Sequence, residues 1–327
     1  MGIYALPLSL SLLLLASAVR SSEASVQQGS IPSSDQPIPE LIYQKALLDA
    51  DIAELTDVCA DAARFGLDQR MRELRDRLML VAPSPQPFEV VVANAQALMV
   101  CKAPVSAQHV LSRFGPAKGK QRRQWLLLSW QAASAALDHA GASLALRRLA
   151  DGNLTALDLE RLPVAEGSDG SVLTRSALDV LVEHERSMGH VDAAISVLLA
   201  SRVTGAAGAA RLGLAADLLA DMGLDQSTPL LESALDQAAA DEAWGLAIEL
   251  LRLQLKLELA SGGEGTRPRQ RLRRLASRVD DRYSLLELLR EDEKQQESAA
   301  ALDQQLRSPR EPGGHAAAED PSPTPTP

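Results

Sequence analysis

Aromatic side chains are scarce in this chain, with three Phe, three Tyr and three Trp in 327 residues. Leu and Ala therefore supply most of the apolar 46%, and β-branched residues are few. That composition favours helices, and no stretch sustains the period-two alternation of a half-buried strand, so an all-α fold without strands is expected. Cationic excess is also lacking: 33 Lys and Arg stand against 43 Asp and Glu, a formal charge of -10. This argues against nucleic acid or anionic lipid as a general partner, because phosphate binding relies on a cationic surface. Only two cysteines occur, Cys59 and Cys101, with no Cys-x-x-Cys pair and no His at ligand spacing. Zinc and thioredoxin-like chemistry are not expected. The two read as small buried apolar residues or, in an exported chain, as a disulfide, since both fall near the ends of first helices in neighbouring units.

The machinery of catalysis is missing as well. No Gly-x-Ser-x-Gly elbow and no phosphate-binding Gly loop occurs. His109, His139, His184, His190 and His315 form no zinc motif, and the six-residue step from His184 to His190 misses the spacing that puts two ligands on one helix face. No catalytic residue, metal or cofactor is expected.

What is present begins with an apolar block from Ile3 to Val19, followed by Ala16-Ser17-Ala18 and Ser22-Glu23-Ala24. Its core is short for a membrane span, and small residues at alternate positions suit signal-peptidase cleavage, so residues 1–24 read as an export signal. Uncleaved, the same segment is an N-terminal anchor. Residues 25–39, rich in Ser, Gln and Pro, read as a linker, and the Pro-rich stretch 307–327 as a disordered tail.

Between them, residues 40–306 carry apolar stripes at helical spacing. Leu41, Leu48, Ile52, Leu55, Cys59 and Ala62 draw one helix to Gly66, with a second from Leu67 to Val81. A second pair spans Phe88 to Phe114, and a third runs from Trp125 through Leu128, Ala132 and Ala135 to Gly141, then Ser143 to Ala150. Asp151 to Gly170 is an irregular insertion. Further pairs cover Ser171 to Arg202, Ala206 to Ala240 and Asp241 to Val279, and a last helix runs from about Arg282 to Leu306. Two units match closely: Leu178, Met188 and Gly189 recur as Leu212, Met222 and Gly223, 34 residues on. A period of this size marks stacked supersecondary units that cannot bury their cores singly.

The stretch Met188 to Leu198 resembles the turn and second helix of a tetratricopeptide repeat (TPR). Gly189 stands where that family ends its first helix, Ala194 where the two helices touch, and Leu198 where a large apolar residue follows. The likeness is specific in this unit and fades elsewhere: Thr228 and Glu232 take the places of the small and large residues in the next. The resemblance implies a right-handed α-solenoid of about six helix-turn-helix pairs with a concave surface for a protein or peptide. The expected function is a non-catalytic, exported scaffold or adaptor.

Several constellations bear on this. Asp151 to Leu159 is similar to the second half of a dockerin or EF-hand calcium loop, but Arg147 and Leu149 fall where two ligands belong, and a hard cation needs six or more oxygens. Asn153-Leu154-Thr155 is also a glycosylation acceptor pattern. A helical enzyme, or a glycan- or calcium-binding accessory protein using residues 151–170, is the alternative function; a membrane-tethered assembly factor is another. Arg267, Arg269, Arg271, Arg273, Arg274 and Arg278 form the densest basic run, and Arg271 and Arg274 are its candidates for docking an acidic partner or headgroup. Acidic residues from Asp280 to Glu293 follow at once and counter that field. Lys118 to Arg123 reads as a solvated loop. Trp125 and Trp244 lie on apolar stripes and are expected in the core, whereas Trp130 lies off its stripe and is the candidate exposed anchor.

Overall fold

A computed structural model describes residues 36–81, 85–167 and 169–307. The expected export signal (residues 1–24), residues 25–35 of the expected linker and the expected tail beyond Arg307 lie outside the described residues. Among the described residues, the chain from Ile38 to Arg307 belongs to one compact unit and is mostly helical.

The first surprise is local. A single helix to Gly66 is replaced by α1 (Glu40–Asp49) and α2 (Ile52–Arg64). The cause is a capping box: the Asp51 side chain accepts from Glu54 N–H, and the Glu54 carboxylate accepts from Asp51 N–H. Rotated off the α2 axis, α1 docks through Tyr43, whose hydroxyl donates to Glu73 while Arg70 lies 4.6 Å above its ring. Leu41 and Leu48, expected in the core, are 83% and 73% exposed.

The following helices are α3 (Asp68–Val81), α4 (Phe88–Val100), α5 (Pro104–Ser112), α6 (Lys120–Ala135) and α7 (His139–Ala150). After the insertion come α8 (Ala177–Ser187), α9 (Val191–Ala200), α10 (Gly205–Asp221), α11 (Ser227–Ala240), α12 (Trp244–Ala260) and α13 (Thr266–Arg278). The expected last helix is divided into α14 (Arg282–Arg290) and α15 (Gln296–Arg307), because the Asp292 carboxylate accepts from Lys294 N–H and starts a 3-10 turn. Each helix packs against the next, and α2, α4 and α6 also meet in series, as do α10 and α12.

One turn is used repeatedly. At the ends of α2, α4, α6, α8, α10, α11, α12 and α13 a residue with left-handed backbone is followed by an N–H bonded five residues back, as in His190 N–H to Glu185 C=O and Leu224 N–H to Leu219 C=O. This is the Schellman closure, which satisfies carbonyls a helix end leaves open. Gly66, Gly189, Gly223 and Gly262 occupy it at no steric cost, whereas Lys102, Leu137, Glu242 and Asp280 adopt φ of 52°, 58°, 54° and 55°. Leu137 explains why the expected end at Gly141 fails. The chain turns four residues earlier, and Gly141 lies inside α7, its N–H bonded to the Asp138 cap.

The expectation of no strands is also overturned. Residues 151–176 hold a 3-10 turn, Leu154–Asp158, and an antiparallel hairpin of β1 (Arg161–Glu166) and β2 (Val172–Ser176). Its alternation is too short to stand out, and Pro163, which lacks a donor, sits at a register irregularity in this two-stranded edge pair. Leu162 anchors the hairpin by burial.

Three buried clusters run in sequence order, the first over α1 to α6, the second over α6 to α10, the third over α10 to α14. Helices α6 and α10 serve two clusters each. Leu128 and Ala132 of α6 belong to the first cluster and Trp130 and Ala133 to the second. Cys59 and Cys101 form a disulfide, Cα atoms 4.9 Å apart, that ties α2 to the end of α4. No described helix is long and apolar enough to cross a membrane.

Candidate functional site

Helices α8 and α10 approach each other less extensively than α10 and α12 do. The space between them is a cleft of about 280 Å³ lined by Arg175, Val182, Arg186, Ala207, Ala210 and Leu214, among others. Small residues on α10 keep its wall low. Arg186 is exposed and has no bonded partner among the described residues.

Arg211 forms the floor. Its guanidinium, 7% exposed, donates through Nε to Asp179 at 2.7 Å and through Nη1 to Asp158 and to Ser201 Oγ at 2.6 Å. Asp158 also accepts from Arg202 N–H at 3.1 Å. Burial, the largest influence on Arg211, works against its charge, but the bonds and charges of Asp179 and Asp158 outweigh it and hold the guanidinium more firmly protonated than usual. The network locks the insertion's 3-10 turn, α8 and α10 together, so the cleft has a rigid base.

A second, larger cleft of about 700 Å³ lies where the end of α10, the start of α11 and the end of α12 meet. Asp225, Ser227, Thr228, Gln254 and Glu258 supply its polar lining and Leu224, Leu231 and Leu257 its apolar part. Gln254 donates to Glu232 at 2.7 Å and accepts from Arg271 at 3.1 Å, which fixes one wall.

On the far side of α8 from the first cleft is a buried polar cluster. Glu185 accepts from Ser143 Oγ at 2.6 Å and from Arg147 at 2.7 and 2.9 Å, and lies 3.2 Å from His190 Nδ1. Burial pushes its carboxyl up, and these bonds together outweigh that push and hold it below the usual range. His184 meets Trp130, Ser134 and His139 beside it.

The residues singled out from sequence fare differently. Trp130 is 4% exposed, so it is no surface anchor; a helix between two neighbours needs two apolar faces, and the second face holds Trp130. Trp125 and Trp244 are half-buried, the first donating to Leu111 C=O at 3.0 Å, the second beneath Arg278. Arg271 is committed to Glu232 at 2.9 Å, and Arg269 to Glu291, so most of the basic run is structural. Arg274 is exposed and has no bonded partner among the described residues. The expected solvated loop at Lys118 to Arg123 is partly the start of α6, and Lys118 and Arg123 pair with Asp151 and Glu160 of the insertion. Asp151 and Asp158, the carboxylates of the calcium-like half-loop, are thus engaged by Lys118 and Arg211 respectively.

Glu185 and Arg211 went unnoticed in the sequence, and His184 was weighed there only as a zinc ligand, yet the 34-residue register contains the signal of all three. His184 and Glu185 correspond to buried Leu218 and Leu219, and Arg211 corresponds to buried Ala177. A charged or polar residue in a slot that the matching unit fills with an apolar one marks a buried network. The chain matches no protein-family model and no curated protein, so geometry alone carries the functional reading.

Proposed function

We propose that this chain is an exported, non-catalytic scaffold whose right-handed, TPR-like array of about six helix pairs holds an extended peptide segment of a protein partner in the cleft between α8 and α10. The carrying observation is that cleft, an apolar wall of Val182, Ala207, Ala210 and Leu214 beside the exposed cation Arg186, over the floor locked by Arg211. The recurrent turn at residues 66, 102, 137, 189, 223, 242, 262 and 280 supports an array of stacked helices. The Cys59–Cys101 disulfide supports export, since such bonds persist in oxidising compartments.

The test is site-specific capture by the mature chain in its native compartment. A photocrosslinking residue at position 210 is expected to trap the partner, whereas one at Lys45 on α1 is not. Ala210→Trp, which fills the cleft from an exposed backbone position, is expected to abolish capture while leaving the helical circular dichroism unchanged. Capture that survives Ala210→Trp sinks the assignment of the cleft.

A further inference from the structure

Helices α6, α7 and α8 meet at His184. Its Nε2 lies 3.3 Å from Trp130 Nε1 and 3.3 Å from Ser134 Oγ, and its Nδ1 lies 3.0 Å from Nδ1 of His139. An indole N–H only donates, so His184 Nε2 accepts and the proton of the neutral ring sits on Nδ1. That proton is donated to His139 Nδ1, which must be unprotonated, placing the His139 proton on Nε2. The chain of bonds has one direction and room for one proton between the rings. A second proton brings two N–H groups face to face, and one on His184 Nε2 opposes the Trp130 donor. The same tautomer leaves no lone pair on His184 Nδ1 for a metal.

We propose that the His139–His184 contact is an acid-sensitive joint between the third and fourth helix pairs, closed at neutral pH and opened by protonation in mildly acidic surroundings. His184 is 7% exposed, so water does not shield the charge that the added proton brings. The charged groups around it are committed elsewhere. On α7, Arg147 pairs with Glu185 and Asp138 accepts from Gly141 N–H and Gln108. On α8, Glu183 pairs with Arg175 of β2, Asp179 pairs with Arg211 of α10, and Glu185 takes Arg147, Ser143 and the α9 cap His190. Asp158 of the 3-10 turn is bound to Arg211. None of these carboxylates bonds His184. Burial first, and His139 second, hold the His184 ring less basic than an ordinary imidazole, outweighing the charges of Glu183 and Glu185, which pull the other way. A His with a depressed folded pKa binds fewer protons folded than unfolded, so stability is full above the unfolded value of about 6.5 and declines as pH falls below it. The joint opens on the face of α8 opposite the cleft, and this holds whatever the cleft binds.

The experiment uses the full chain carrying Trp125→Phe and Trp244→Phe, which leaves Trp130 as the sole indole, followed by fluorescence from about pH 7.5 to 5. A protonated imidazole quenches a neighbouring indole. Emission is expected to fall with a midpoint below the ordinary His value, to stay level in His184→Gln, and to titrate at a higher pH in His139→Ala, where the competing ring is gone. Level emission in the parent, or an identical titration in His184→Gln, overturns the joint. An unmoved midpoint in His139→Ala overturns the coupling of the two rings, and that variant at a half-buried position keeps the test decisive should His184→Gln not fold.

Discussion

Arg211 occupies a slot that the preceding helix pair gives to an alanine, and the substitution is tolerable only because two carboxylates wait there. Removing one member of such a buried group leaves the others charged and unpaired. Arg211→Met is therefore expected to cost about 3–5 kcal/mol, read from urea unfolding, and a loss under about 1 kcal/mol would show that water reaches Asp158. The left-handed turn residues give the opposite kind of forecast. Leu137 is exposed and has φ of 58°, so Leu137→Gly relieves strain without emptying a core. A gain of about 0.5–1 kcal/mol is expected, against a loss of similar size for Gly189→Ala. Glu185 adds a pH term. Its carboxyl is held below the usual range in the fold, so its contribution is present above the unfolded value of about 4.3 and disappears as pH falls through the folded one. Arg147→Met is expected to flatten that acid limb in thermal melts taken from about pH 6 to 3.

Among the elements, the division of the first helix is the clearest case of a local signal overriding a periodic one. The stripe from Leu41 to Ala62 continues across Asp51 in perfect helical register, yet Asp51 and Glu54 together satisfy the open donors of a new helix start. Asp51→Ala is expected to lower stability by about 1 kcal/mol and, if α1 and α2 then fuse, to raise helicity by circular dichroism. Helix α6 teaches the converse. Its sequence shows one clear stripe, and Trp130 looks displaced from it, because a stripe is defined against a single neighbour. In the fold α6 faces α4 and α5 on one side and α7 on the other, and the displaced indole becomes core. The hairpin was illegible for a third reason: five or six residues of weak alternation interrupted by Pro163 do not differ from a loop until Leu162 is seen buried.

Across the whole molecule, the three buried clusters follow one another along the chain, so stability depends on neighbours meeting neighbours, and few links join distant segments. The Cys59–Cys101 bond is one such link, closing a segment of 42 residues. Replacing both cysteines by Ser is expected to cost about 2–4 kcal/mol, concentrated in the first cluster, and hydrogen exchange that rises over α2 to α5 while α10 to α13 stay protected would display that locality. Helical class, most helix positions and the glycine-ended turns at 66, 189 and 223 were readable from composition, period and residue type alone, because each depends on interactions within a few residues. Which faces α6 and α10 bury, where Arg211 and His184 find their partners, and that a cleft opens between α8 and α10, were decided only by tertiary structure. Most of those contacts join residues 32 to 54 positions apart, and no local propensity encodes which distant side chain a packed helix will meet.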